Sequence, residues 1–113
     1  MSAEERLTPA ARAAIADSDI VLVSPISFFE IAQKVRLGKW PEMAPFAGRL
    51  DKILVEQGGA CADFSASVCL RAGLMGWDHR DPFDRLILAT AQLMNVSLIS
   101  ADPVFDGRIT RVW

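Results

Sequence analysis

Carboxylates placed where helices begin and strands end are the residues of this chain best suited to chemistry. In Asp81-Pro82-Phe83-Asp84 an N-cap residue is followed by proline at the first helical position, so Asp84 falls in a first helical turn. There the free backbone N–H groups and the positive end of the helix dipole favour a negative side chain. Ser27-Phe28-Phe29-Glu30 has the Ser-x-x-Glu form of a capping box, which puts Glu30 in a first turn as well, shortly after the apolar run Ile20-Val21-Leu22-Val23. Asp102 follows another short apolar run, Val96-Ser97-Leu98-Ile99-Ser100. Taken singly, Asp81, Asp84 and Glu30 are better explained by a structural role as caps or as charge set against a dipole.

Three acids meeting at one sheet edge repel each other, and without counter-charge at least one is driven toward its protonated form. A hard divalent cation removes that conflict. Magnesium or manganese takes oxygen ligands from a few carboxylates, keeps several waters, and can set one of them against a phosphodiester. Other site chemistries lack their residues. His79 is the single histidine, so a zinc site would need further ligands; no nucleophile elbow and no glycine-rich phosphate loop is present. His79 is expected to pack or hydrogen-bond in its loop, a proton shuttle being the remoter reading.

The elements that must position these acids follow from pattern. Thr8-Pro9 starts an alanine-rich helix, and the run at 20–23, short and mostly β-branched, suits a strand buried on both faces of a parallel sheet. The next helix runs from Ser27 to about Leu37, closed by Gly38, with Lys34, Arg36 and Lys39 at its basic end. A helix over 46–57 stops at Gly58-Gly59, a weak strand lies at 60–64, and Ser65 caps a helix reaching Leu74. The helix over 82–94 ends at Asn95, and strands follow at 96–100 and 109–112. Alternating strands and helices predict an α/β domain whose mostly parallel sheet is covered on both faces. Sites in such sheets form beyond the carboxyl ends of the strands, where Glu30 and Asp102 fall, and Asp84 too if its helix begins there.

The 113 residues fit one domain, residues 1–113, and 51% hydrophobic content suffices for a core. A net charge of −2 gives no general attraction to nucleic acid or anionic lipid, so a polyanion would need a local basic cluster or metal ions. Cys61 and Cys69 have neither zinc-site spacing nor a secretory context and are expected to be reduced. With an acidic start and no long apolar run, the protein is expected in the cytoplasm, away from membranes.

Three stretches together resemble the successive signatures of PIN-domain nucleases, in particular the VapC-type toxins of type II toxin–antitoxin systems. They are Ser24-Pro25-Ile26-Ser27-Phe28-Phe29-Glu30-Ile31-Ala32-Gln33-Lys34, then His79-Arg80-Asp81-Pro82-Phe83-Asp84-Arg85-Leu86-Ile87, then Ile99-Ser100-Ala101-Asp102-Pro103-Val104-Phe105. The resemblance implies a three-layer α/β/α sandwich with a short parallel sheet, and RNA cleavage with Mg2+ or Mn2+ held by about four acids. It matches Glu30, Asp84 and Asp102 to the second, third and fourth of those acids. Ser27 and Asp81 would support the site, while Arg80 and Arg85 would hold RNA or the carboxylates. A cognate antitoxin and a homodimer are the protein partners it implies.

One part of the family pattern has no counterpart in this sequence. Relatives begin with a strand ending in Asp, which lies mid-sheet between the strands read here at 20–23 and 96–100; neither that strand nor the first acid is found before Thr8. An N-terminally truncated domain is therefore expected, impaired in metal binding, the favoured origin being a start placed at an internal methionine. Either the two flanking strands close up or dimerisation covers the gap, because open backbone groups and apolar side chains demand cover. The alternative to an impaired nuclease is a non-catalytic remnant that binds an antitoxin or a second copy of itself.

Overall fold

The structure, a computed structural model, describes residues 7–113, so Glu4 and Glu5 at the polar start lie outside the described residues. Among the described residues there are five α-helices and four two-residue strands, with short 3-10 turns between some of them. Helix α1 (Pro9–Asp17) is capped by Thr8, whose hydroxyl accepts from the Ala11 N–H at 3.1 Å. Strand β1 (Leu22–Val23) leads into α2 (Pro25–Arg36), and α3 (Leu50–Glu56) precedes strand β2 (Ala60–Cys61). Then come α4 (Ala66–Leu74), α5 (Pro82–Met94), strand β3 (Leu98–Ile99) and strand β4 (Arg111–Val112).

Helix α2 begins three residues earlier than the capping-box reading places it. Ser24 is the N-cap, its hydroxyl accepting from the Ile26 N–H at 3.2 Å, and Pro25 takes the first helical position. A serine before a proline starts a helix at least as well as it breaks a strand. Ser27 is therefore an interior residue of α2, and Glu30 lies beyond its first turn. The helix read over 46–57 is also split. Its front is a 3-10 turn, Ala47–Arg49, and only Leu50–Glu56 is α-helical.

The core lies between α4 and α5, where Val68, Ala72 and Ala89 are buried and Met75 and Leu86 pack against them. Alanine on each helix lets the two backbones approach closely. Leu88 and Ala11 are fully buried. The buried Thr90 hydroxyl donates to the Leu86 carbonyl at 2.8 Å, so no polar atom is stranded there.

The sheet is parallel, as the alternation predicts, but it comes in two halves among the described residues. Strand β1 pairs with β2 and β3 pairs with β4, each pair parallel. The flanking strands do not close up. An apolar cleft of about 600 Å3 separates the halves, lined on one side by Leu22 and Val23 and on the other by Leu98 and Ile99, with Ile15 and Ile87 among its walls. This is why all four strand residues are only half-buried where burial on both faces was expected.

Register fixes which backbone groups face that cleft. The Ala60 and Ala62 N–H groups donate to the carbonyls of Val21 and Val23, and those of Leu98 and Ser100 donate to the carbonyls of Thr110 and Val112. Because alternate residues of a parallel strand direct their polar groups to opposite edges, the N–H and C=O of Leu22 and of Ile99 lie on edges that have no strand partner among the described residues. Both residues line the cleft.

Candidate functional site

Helix α5 begins as its sequence dictates. Oδ1 of Asp81 accepts from the N–H groups of Phe83 (2.9 Å) and Asp84 (3.2 Å), which satisfies two of the free donors of the first turn. Asp84 in that turn is half-buried, and its Oδ2 lies 2.7 Å from Nε2 of His79. His79, Asp81 and Asp84 each offer a ligand atom within 4.8 Å of the others, a grouping able to hold a metal ion.

Glu30 approaches from α2, which packs on α5 through the Phe29 and Phe83 rings, centroids 5.4 Å apart. Its carboxyl is pushed above the ordinary glutamate range first by burial, then by the negative charges of Asp84 and Asp81, with Lys34 one turn on pulling weakly the other way. The structure thus brings Glu30, Asp81 and Asp84 into one another's field. Such half-buried oxygens with uncompensated charge suit a hard cation, which the donor set of carboxylates would hold through oxygen.

Asp102 is not part of the His79–Asp81–Asp84 grouping and is not among the charges acting on Glu30. It is exposed at the carboxyl end of β3, where its Oδ1 accepts from the Val104 N–H at 2.9 Å and caps the 3-10 turn Pro103–Phe105. Arg111 clamps the same loop from β4. It grips Asp106 with Nε at 2.6 Å and Nη2 at 3.1 Å, while Nη1 donates to the Ser100 carbonyl at 3.1 Å. That hydrogen bond, reinforced by charge, holds Asp106 below the usual carboxylate range. Asp102 adds a weaker pull on the Arg111 guanidinium.

The remaining expected residues take distinct places. Ser27 lines the cleft between the half-sheets. Arg80 is exposed and has no hydrogen-bond or ion-pair partner among the described residues. The guanidinium of Arg85 is engaged by main-chain oxygens: Nε donates to Ala72, Nη1 to Trp77 and His79, and Nη2 to Met75, all at backbone carbonyls 2.6–3.0 Å away. It staples the loop after α4 to the start of α5, and so supports the site from behind.

His79 carries more of the site than its sequence context suggested. Its ring also rests on Trp77, centroids 4.9 Å apart. The signal was its position two residues ahead of the Asp81 cap, from which a side chain can fold back over the first turn of α5.

The raised Glu30 carboxyl has a measurable consequence. In the folded protein Glu30 holds its proton more tightly than in the unfolded chain, so its ionised form costs stability at neutral pH. That cost fades as pH falls through the raised value and is gone below the ordinary 4.5. Without metal, Glu30→Gln is therefore expected to melt above the wild type at neutral pH, with the two curves merging in acid. Thermal melts in chelator across that range check it, and an offset that does not change with pH would contradict the assignment.

No helix among the described residues is long and apolar enough to cross a membrane. No curated protein and no solved structure matches the chain. A protein-family model does: the PIN domain matches residues 2–108. Carboxylates crowded at the junction of α2 and α5, parallel strand pairs between helices, and a match over nearly the whole sequence lead to one assignment: the chain belongs to the PIN domain family, whose members are in general metal-dependent nucleases acting on RNA.

Proposed function

We propose that the protein is a Mg2+- or Mn2+-dependent endoribonuclease in which Glu30, Asp84 and Asp102 hold the cation. The observation that carries this is the grouping of Asp81 and Asp84 with His79 at the start of α5, their ligand atoms within 4.8 Å of one another and both acids acting on Glu30, in a family of metal-dependent nucleases. Glu30 and Asp84 present oxygens from two packed helices. Asp84 keeps Oδ1 free of the bond to His79, and Asp102 keeps one oxygen beyond its cap. Asp81 holds the first turn of α5 in place and adds to the local negative potential. Exposed and, among the described residues, unpaired, Arg80 is suited to meet a backbone phosphate of the RNA. A bound cation supplies charge stabilisation at the phosphate oxygens and an activated water.

The three motifs support a biological role as the toxin of a toxin–antitoxin pair, with a cognate antitoxin as partner and the cytoplasm as its place of action. The test of the catalytic reading is cleavage of an unstructured RNA pool in Mg2+. Products that vanish on adding chelator and return with excess Mg2+ or Mn2+ support it; cleavage indifferent to chelator overturns it. Binding should also show as stability. At a metal concentration one hundredfold above Kd the folded state gains about 2.7 kcal/mol, a rise in melting temperature on the order of 10 °C. An unchanged melt at millimolar Mn2+ would contradict it.

The cleft favours a second reading, that of a binding module. Among the described residues two strand edges without a partner face an uncharged cavity of about 600 Å3, which suits an added β-strand from an antitoxin or from a second copy. Sedimentation of the isolated protein separates these: a dimer at micromolar concentration supports self-association, and a monomer leaves the antitoxin as the expected occupant.

A further inference from the structure

We infer that His79 is a positioning residue for the metal-binding carboxylate of Asp84, a role that rests on the reading of Asp84 as a metal ligand. An ionised carboxylate only accepts hydrogen bonds, so at 2.7 Å Nε2 of His79 must carry the hydrogen and donate it to Oδ2. One oxygen of Asp84 is thereby tied down, and Oδ1 is left to face the cation. A carboxylate free to rotate would spread its two oxygens over many orientations, only some of which serve a shared ion with Glu30.

The imidazole is itself fixed from two directions. Its ring packs on Trp77, which in turn packs on Phe105 at 6.0 Å and lies under the Arg108 guanidinium at 5.7 Å. Its backbone is held by Arg85, whose Nη1 binds both the His79 carbonyl (3.0 Å) and the Trp77 carbonyl (2.7 Å). Packing and hydrogen bonding thus set the ring before any ion arrives, which is the arrangement that preserves ligand geometry.

The test is Mn2+ binding by calorimetry on the full chain, comparing wild type with His79→Phe, His79→Gln and Asp84→Asn. Phenylalanine keeps a ring on Trp77 but has no donor; glutamine restores an N–H near the position of Nε2. We expect His79→Phe to weaken Mn2+ affinity roughly 10–100-fold with its melt in chelator unchanged, and His79→Gln to return it to within a few-fold of wild type. Wild-type affinity in His79→Phe beside lost binding in Asp84→Asn overturns the role of His79 and leaves the metal site standing. Glutamine as weak as phenylalanine overturns the donor assignment. Binding that ignores Asp84→Asn removes the metal reading and this inference with it. Should His79→Phe fail to fold, 15N NMR of the wild-type imidazole decides: hydrogen on Nε2 supports the bond, and hydrogen on Nδ1 alone overturns it.

Discussion

Asp84→Asn is expected to lower metal-dependent RNA cleavage by roughly two to three orders of magnitude, the range seen when one group stabilising developing charge is removed. The substitution conserves shape, so little else should change. Asparagine can still accept from Nε2 of His79 through its carbonyl oxygen, and the Asp81 cap that starts α5 does not depend on residue 84's charge. Losing a negative charge from the first turn costs about 0.3–1 kcal/mol, partly offset by the repulsion lifted from Glu30. Melting in chelator should therefore stay near the wild type while activity disappears. Cleavage reduced by less than a few-fold would place the chemistry elsewhere.

The largest loss of stability is expected at Arg85. Its planar fork answers four backbone carbonyls, those of Ala72, Met75, Trp77 and His79, in the turn that joins α4 to α5. Truncation to alanine leaves these acceptors to whatever water can reach them, and each carbonyl left unsatisfied costs about 1–3 kcal/mol. A net loss of about 3 kcal/mol or more follows, on the order of 10 °C or more in melting temperature for a domain of this size. Lysine should recover less than half of it, because a single ammonium cannot reach four acceptors arranged for a guanidinium. Chemical denaturation of the three proteins checks this. Because His79 hangs on the same staple, Mn2+ affinity should fall along with stability in Arg85→Ala, and full affinity in that variant would contradict the link.

How legible these features were in the sequence depended on how local their causes are. Helix α5 was readable at both ends, since Asp81 and Pro82 start it and Asn95, in the left-handed region at φ 54°, stops it. Thr8 for α1 and Ser65 for α4 are of the same kind. The start of α2 departs from the capping-box expectation because Ser24-Pro25 and Ser27-x-x-Glu30 offer competing caps three residues apart, and the proline at the first position decides between them. Division of the sheet into two pairs was not legible. Apolar runs such as Leu98-Ile99 announce a strand but not which of its edges stays open, and that depends on register with β4. Of the site, the acids were legible as chemistry at element ends, and the structure adds that Glu30 and Asp84 share a field while Asp102 sits on a loop clamped by Arg111. The task of Arg85 was hidden for another reason: its four acceptors are main-chain groups that converge only after the turn between two helices has formed.

All of this turns on one cation shared by Glu30 and Asp84 where α2 meets α5. Anomalous diffraction from crystals soaked in Mn2+ locates it directly. The expected result is one strong peak about 2.0–2.2 Å from an oxygen of each carboxylate, close to the metal–oxygen distance for a small divalent cation. A peak bound elsewhere, or none beside Asp84 at saturating Mn2+, would contradict it.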